Sequence, residues 1–129
     1  MSRNIVIIGS GFAGLMAALG ASRLRHEKGV SPDELAITVV SPMPELVIRP
    51  RLYERNPEQM VAPLTDVFAA TDIRYFQGSV ETIDSAASTI TVATGNGTSA
   101  TLPYDRLVLA AGSDGFAPPI PGLAEFGFA

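Results

Sequence analysis

The chain has 129 residues, of which 47% are hydrophobic and 17% charged, values that suit one globular domain and exclude a disordered chain. Nine basic side chains against thirteen acidic ones give a net charge of −4, which argues for no nucleic-acid partner because phosphate neutralisation needs a basic face. There is no cysteine and a single histidine, His26, so a disulfide scaffold, a thiolate nucleophile, a zinc–sulfur site and a histidine-clustered metal site are all excluded.

Met1-Ser2-Arg3-Asn4 leads into Ile5-Val6-Ile7-Ile8, which ends at Gly9. This run is too short for a signal-peptide core, and no stretch approaches the roughly 18 apolar residues of a membrane span, so the expectation is no transmembrane segment and a cytoplasmic protein. Without polar alternation, Ile5–Ile8 reads as a strand buried on both faces, as in a parallel sheet covered by helices. From Phe12 to about Lys28 the period becomes helical: Leu15, Ala18, Leu19 and Ser22 form one stripe, with Arg23, Arg25 and Glu27 expected to face water. Gly29 is a helix stop, and Leu35–Val40 is a second strand, completing a right-handed βαβ unit.

Ser41 to Pro63 holds Pro42, Pro44, Pro50, Pro57 and Pro63, so no long regular element is expected there. A short helix at Leu64–Ala70 and a short strand at Ile73–Phe76 follow. Val80–Asp84, Thr89–Ala93 and Thr98–Leu102 are rich in β-branched residues and separated by turn residues, which predicts a three-stranded antiparallel meander. Leu107–Ala110 returns to the buried-strand pattern. The predicted fold is α/β: a Rossmann-like parallel sheet with helices, plus the meander on one face.

Gly9-Ser10-Gly11-Phe12-Ala13-Gly14 matches G-x-G-x-x-G, directly after a buried strand and at the opening of a helix. In that setting Gly9 permits the tight turn, Gly11 lets a pyrophosphate approach the backbone, and Gly14 lets helix and strand pack closely. A tight strand–helix turn with no ligand would use similar glycines; the agreement of all three with their flanking elements favours dinucleotide binding. The usual partner of such a loop is an acidic residue at the end of the second strand, bonded to a ribose hydroxyl. Here that position is Ser41, a weaker partner that also removes repulsion toward a 2′-phosphate and leaves a phosphorylated nicotinamide cofactor open. Glu45 is the nearest carboxylate, but it lies past two prolines and reads as a poor substitute.

The glycine loop, Arg49-Pro50-Arg51-Leu52, the run from Tyr104 to Ser113 (Tyr-Asp-Arg-Leu-Val-Leu-Ala-Ala-Gly-Ser) and Pro119-Ile120-Pro121-Gly122 together resemble the opening of an FAD-dependent pyridine nucleotide oxidoreductase. That group includes type II NADH dehydrogenases, rubredoxin and ferredoxin reductases, and flavoprotein disulfide reductases. The resemblance implies that Gly9, Ser10, Gly11, Phe12, Ala13 and Gly14 hold the FAD pyrophosphate and that Ser41 sits at the adenosine ribose. It further implies that Arg49 and Pro50 lie along the FAD and that the Val80 backbone bonds adenine. Ala111 and Gly112 would pass near the flavin, with Ala111 standing where the family has threonine. The redox cysteine pair of the disulfide reductases is missing, which points to the dehydrogenase and ferredoxin-reductase branches.

The resemblance also implies a division into an FAD-binding domain over 1–115 and a linker over 116–129 toward an NAD(P)H-binding domain. The chain thus reads as a portion of a flavoprotein that takes hydride from NAD(P)H to FAD and passes electrons to a quinone or protein acceptor. No acid, base or nucleophile is identifiable, so no catalytic residue is assigned and turnover by this segment alone is not expected. The alternatives are a single-Rossmann NAD(P)-binding dehydrogenase, which the meander argues against, and a non-catalytic nucleotide-binding remnant. Self-association through an exposed sheet edge is a further expectation.

Overall fold

The computed structural model describes residues 2–47 and 61–112. Four parallel strands make the central sheet: β1 (Arg3–Ile8), β2 (Leu35–Ser41), β5 (Arg74–Gln77) and β9 (Arg106–Leu109), in the order β5-β2-β1-β9. Helix α1 (Phe12–Glu27) crosses from β1 to β2, and helix α2 (Thr65–Ala70) precedes β5. A meander of β6 (Ser79–Asp84), β7 (Thr89–Ala93) and β8 (Ser99–Pro103) separates β5 from β9. The remaining strands, β3 (Glu45–Val47) and β4 (Val61–Pro63), pair antiparallel within the proline-rich region. The expected α/β fold is present, and helix and strand limits agree with the sequence reading to within two residues. The β3–β4 pair was not anticipated; its short length is what the prolines allow.

The continuous apolar character of β1 and β2 follows from burial on both faces. Ile7, Ile37 and Val39 pack with Leu15, Ala18, Leu64 and Phe68 on the helix side. Val6, Ile8 and Val40 pack with Ile90 and Val92 of the meander on the other side. Successive residues of a strand point to opposite faces, so each strand serves two cores at once. The layers are therefore helices, parallel sheet and antiparallel meander. Asp84 closes the β6–β7 turn by accepting from the Ala86 and Ala87 amides, each at 3.1 Å.

One feature departs from the sequence reading of α1. The stripe Leu15, Ala18 and Ser22 is buried as expected, but Arg25 is buried as well, at 5% exposure, and does not face water. Its guanidinium donates to the carbonyls of Leu35 (2.9 Å), Thr71 (3.0 Å) and Asp72 (3.1 Å). Ser22 adds a bond to the Thr71 carbonyl at 2.8 Å. The planar fork of Arg thus ties α1 to the start of β2 and to the carbonyls just past the end of α2. No helix among the described residues is long and apolar enough to cross a membrane.

Replacing Arg25 by Met keeps an apolar stem but takes the guanidinium donor from the Leu35 and Asp72 carbonyls and leaves the Thr71 carbonyl to Ser22 alone. Urea unfolding is expected to show a loss of about 2–4 kcal/mol, against no more than about 0.5 kcal/mol for Arg23→Met on the exposed side of the same helix.

Candidate functional site

The carboxyl ends of β2, β1 and β9 meet where the strand order reverses, the place at which open α/β sheets bind ligands. A cleft of about 770 Å³ lies there, lined by the 9–13 loop, Ser41, Pro42, Glu45 and the run Leu109–Gly112. That size is within the roughly 300–1,000 Å³ usual for small-molecule sites. Of the residues expected from sequence, Gly9, Ser10, Gly11, Phe12, Ala13, Ser41, Ala111 and Gly112 line this cleft. Gly14 sits behind it in the first turn of α1. Arg49, Pro50 and the 116–129 segment lie outside the described residues.

The glycines divide into two kinds. Gly9 has φ +110°, and a Cβ there would land on the Ala110 carbonyl. A Cβ at Gly14 would land on the Gly9 carbonyl. Both are required by backbone packing alone. Gly11 is different: it has φ −73°, which any residue adopts, and a Cβ on it would meet no protein atom within 4 Å. The fold makes no demand for glycine at this position.

Gly11 is also the N-cap of α1, and no side chain caps it. No acidic residue occupies the first turn. The first helical bond closes from the Leu15 amide to the Gly11 carbonyl at 2.8 Å. Among the described residues no acceptor engages the amides of Phe12 and Ala13, so the α1 terminus turns unpaired donors and its positive dipole end toward the cleft.

The opposite wall is the segment Ser41–Glu45, and every carbonyl in it has a donor. Ser41 accepts from the Gly78 amide (2.9 Å) and the Tyr75 hydroxyl (2.6 Å). Pro42 accepts from the Gln77 amide side chain at 3.1 Å, and Pro44 from the Leu64 backbone at 2.8 Å. Met43 accepts from the Ser41 hydroxyl (2.7 Å) and the Glu45 amide (2.8 Å). Ser10 reaches across from the glycine loop, its hydroxyl 2.8 Å from the Glu45 carbonyl and 3.3 Å from that of Met43.

This accounting changes what two of the expected residues offer. The hydroxyl protons of Ser10 and Ser41 are committed to the protein, and both residues are buried, so toward a ligand they present backbone and accepting oxygen. Val80 stands in β6 opposite Val92, its side chain packed on the meander core; it does not line the cleft, and only its backbone remains for a ligand. Pro42, Glu45, Leu109 and Ala110 line the cleft without having been singled out as binding residues. Glu45 lies past Pro42 and Pro44 and so reads as a poor substitute from sequence, and the β3–β4 pairing that returns it to the cleft had no signal in the sequence.

A profile of the pyridine nucleotide-disulphide oxidoreductase family matches residues 3–129. The chain belongs to this family. It is 44% identical over 125 residues to an NADH dehydrogenase-like protein of Mycobacterium tuberculosis, covering 97% of this chain and 30% of that protein. It is 30% identical over 129 residues to the demethylphylloquinone reductase NdbB of Synechocystis, covering 96% of this chain and 31% of that protein. The sulfide:quinone oxidoreductase of Aquifex aeolicus superposes with a TM-score of 0.70 at 26% identity, over 96% of this chain and 27% of that one. The chain therefore spans about a third or less of the length of these relatives. The expected resemblance to NADH dehydrogenase-type members of this oxidoreductase family holds.

The two kinds of glycine predict different stabilities. Gly9→Ala and Gly14→Ala are each expected to lose at least about 2 kcal/mol in chemical denaturation, because backbone must move or φ must change sign. Gly11→Ala is expected to stay within about 0.5 kcal/mol of the parent.

Proposed function

We propose that this chain binds FAD, with the diphosphate seated on the Gly9–Gly14 loop and the start of α1. The chain would form the FAD-binding portion of an oxidoreductase whose whole length carries electrons from NAD(P)H to a quinone or protein acceptor. The observation that carries this reading is Gly11: the fold places no atom against it, while uncapped amides and a cleft lie on that side. A dinucleotide diphosphate has the charge, the acceptor oxygens and the need for close backbone approach that such a corner suits. The relatives support the wider assignment, being named as an NADH dehydrogenase-like protein and quinone-linked reductases.

FAD held by the glycine loop and the start of α1 would supply the two-electron hydride chemistry. The residues present here bind and orient. The amides of Phe12 and Ala13 donate to diphosphate oxygens, reinforced by the α1 dipole. Ala111 and Gly112, at the end of β9, bring backbone without bulk to the other side of the cleft. Val80 contributes through its backbone to the adenine, and Arg49 and Pro50 lie along the cofactor, as the family resemblance implies. The domain boundary near residue 115 and the NAD(P)H-binding portion beyond it belong to the same proposal. β9 is an edge strand of the parallel sheet and its Leu109 is exposed, which supports self-association through that edge as part of the same proposal.

The test is the colour and fluorescence of the purified protein. The wild-type chain is expected to retain or take up FAD, with its flavin fluorescence changed on binding. Gly11→Ala is expected to weaken FAD binding at least about tenfold while unfolding as the parent does. A colourless protein that ignores added FAD overturns the proposal. Light scattering is expected to show species larger than the 13.5 kDa chain.

A further inference from the structure

We propose that Glu45 is the residue that recognises the ribose of the bound adenine nucleotide, and that Ser10 is the positioning residue that holds it there. This rests on the FAD-binding reading above and extends it to a specificity determinant. The end of β2, where a carboxylate serves this purpose in dinucleotide folds, carries Ser41. Ser41 is 5% exposed, and its hydroxyl donates to the Met43 carbonyl at 2.7 Å. Its only proton is already used, and a neutral accepting oxygen binds a hydroxyl more weakly than a carboxylate does.

Glu45 meets the need from a different element. It opens β3, and the next residue, Leu46, is buried in the core beneath the helices. Alternation along a strand sends Glu45 to the opposite side, and it lines the cleft. The segment that carries it is held still. Prolines at 42 and 44 restrict its backbone, and each carbonyl from Ser41 to Glu45 has a donor from β2, β5, the 78 turn, the start of α2 or the glycine loop. Ser10 bonds the Glu45 carbonyl itself, at 2.8 Å.

This last bond joins the two walls. Ser10 belongs to the loop that would hold the diphosphate, and the ribose of an adenine nucleotide is attached directly to that diphosphate. A ribose leaving the loop therefore meets the wall that Ser10 fixes, where a carboxylate can accept from its hydroxyls. The same carboxylate would repel a phosphate on that ribose, so the site selects an unphosphorylated adenosine.

Competition against FAD by ADP and by 2′,3′-dideoxy-ADP isolates this contact. With the wild-type chain, loss of the ribose hydroxyls is expected to weaken binding about tenfold, the scale of one charge-assisted hydrogen bond. In Glu45→Gln the same change is expected to cost no more than about twofold, because the charged acceptor is gone. Ser10→Ala keeps the carboxylate and frees its carrier, and an intermediate penalty is expected. A merely structural effect of either substitution would lower the affinity for both nucleotides equally. An unchanged tenfold penalty in Glu45→Gln overturns the inference while leaving FAD binding intact. A wild-type chain that binds neither FAD nor ADP overturns the functional reading and this inference with it.

Discussion

Two backbone surfaces in direct contact, with no side chain between them, set the geometry of this protein. The Cα of Gly14 lies over the Gly9 carbonyl, and the Cα of Gly9 lies against Ala110. The first contact brings α1 down onto the end of β1; the second brings β9 alongside the turn. Everything at the carboxyl end of the sheet follows from these approaches. A methyl group at either position would lift the helix or push β9 away, and the cleft between the loop and the Leu109–Gly112 run would lose its shape. Gly11 benefits from this packing without taking part in it, which is why its lack of a side chain bears on a ligand rather than on the fold.

The second constraint is burial of β1 and β2 on both faces. Ile7 and Val39 look to the helices while Val6, Ile8 and Val40 look to the meander. Such strands cannot slip by one residue without exchanging the two cores, so their register is firmly specified. That rigidity matters for the site, because the glycine loop directly continues β1 and Ser41 is the last residue of β2. The Gly9 amide bonds the Val40 carbonyl at 2.9 Å, carrying the sheet's register one step into the loop.

What was legible in the sequence was periodic or glycine-bound. Ile5–Ile8 and Leu35–Val40 announce doubly buried strands, the α1 stripe announces its packing face, and the loop glycines announce the turn. What was not legible depends on contacts distant in the chain. Arg25 reads as a surface residue because helix periodicity says nothing about carbonyls that arrive from Leu35, Thr71 and Asp72. The β3–β4 pair is too short, at three residues each, to leave an alternation pattern, and proline content argued only against long elements. The wall Ser41–Glu45 escaped for the same reason. Its order comes from donors spread from Ser10 to Gly78, and the two prolines after β2 made Glu45 look remote from a cleft that it lines.

The proposal that an acidic chain holds a diphosphate looks paradoxical until a source of positive potential is located. Among the described residues no lysine or arginine lines the cleft. What those residues offer an anion is oriented backbone: unpaired amides at the α1 terminus and the partial charge of the helix end. Such partial charges act over short distances and only in a fixed direction, so they serve a ligand already seated and do little to draw one from solution. A net charge of −4 opposes only the long-range part of the encounter. Within the cleft, the direction of a few N–H bonds outweighs it, and that direction is fixed by the glycine contacts between helix and sheet.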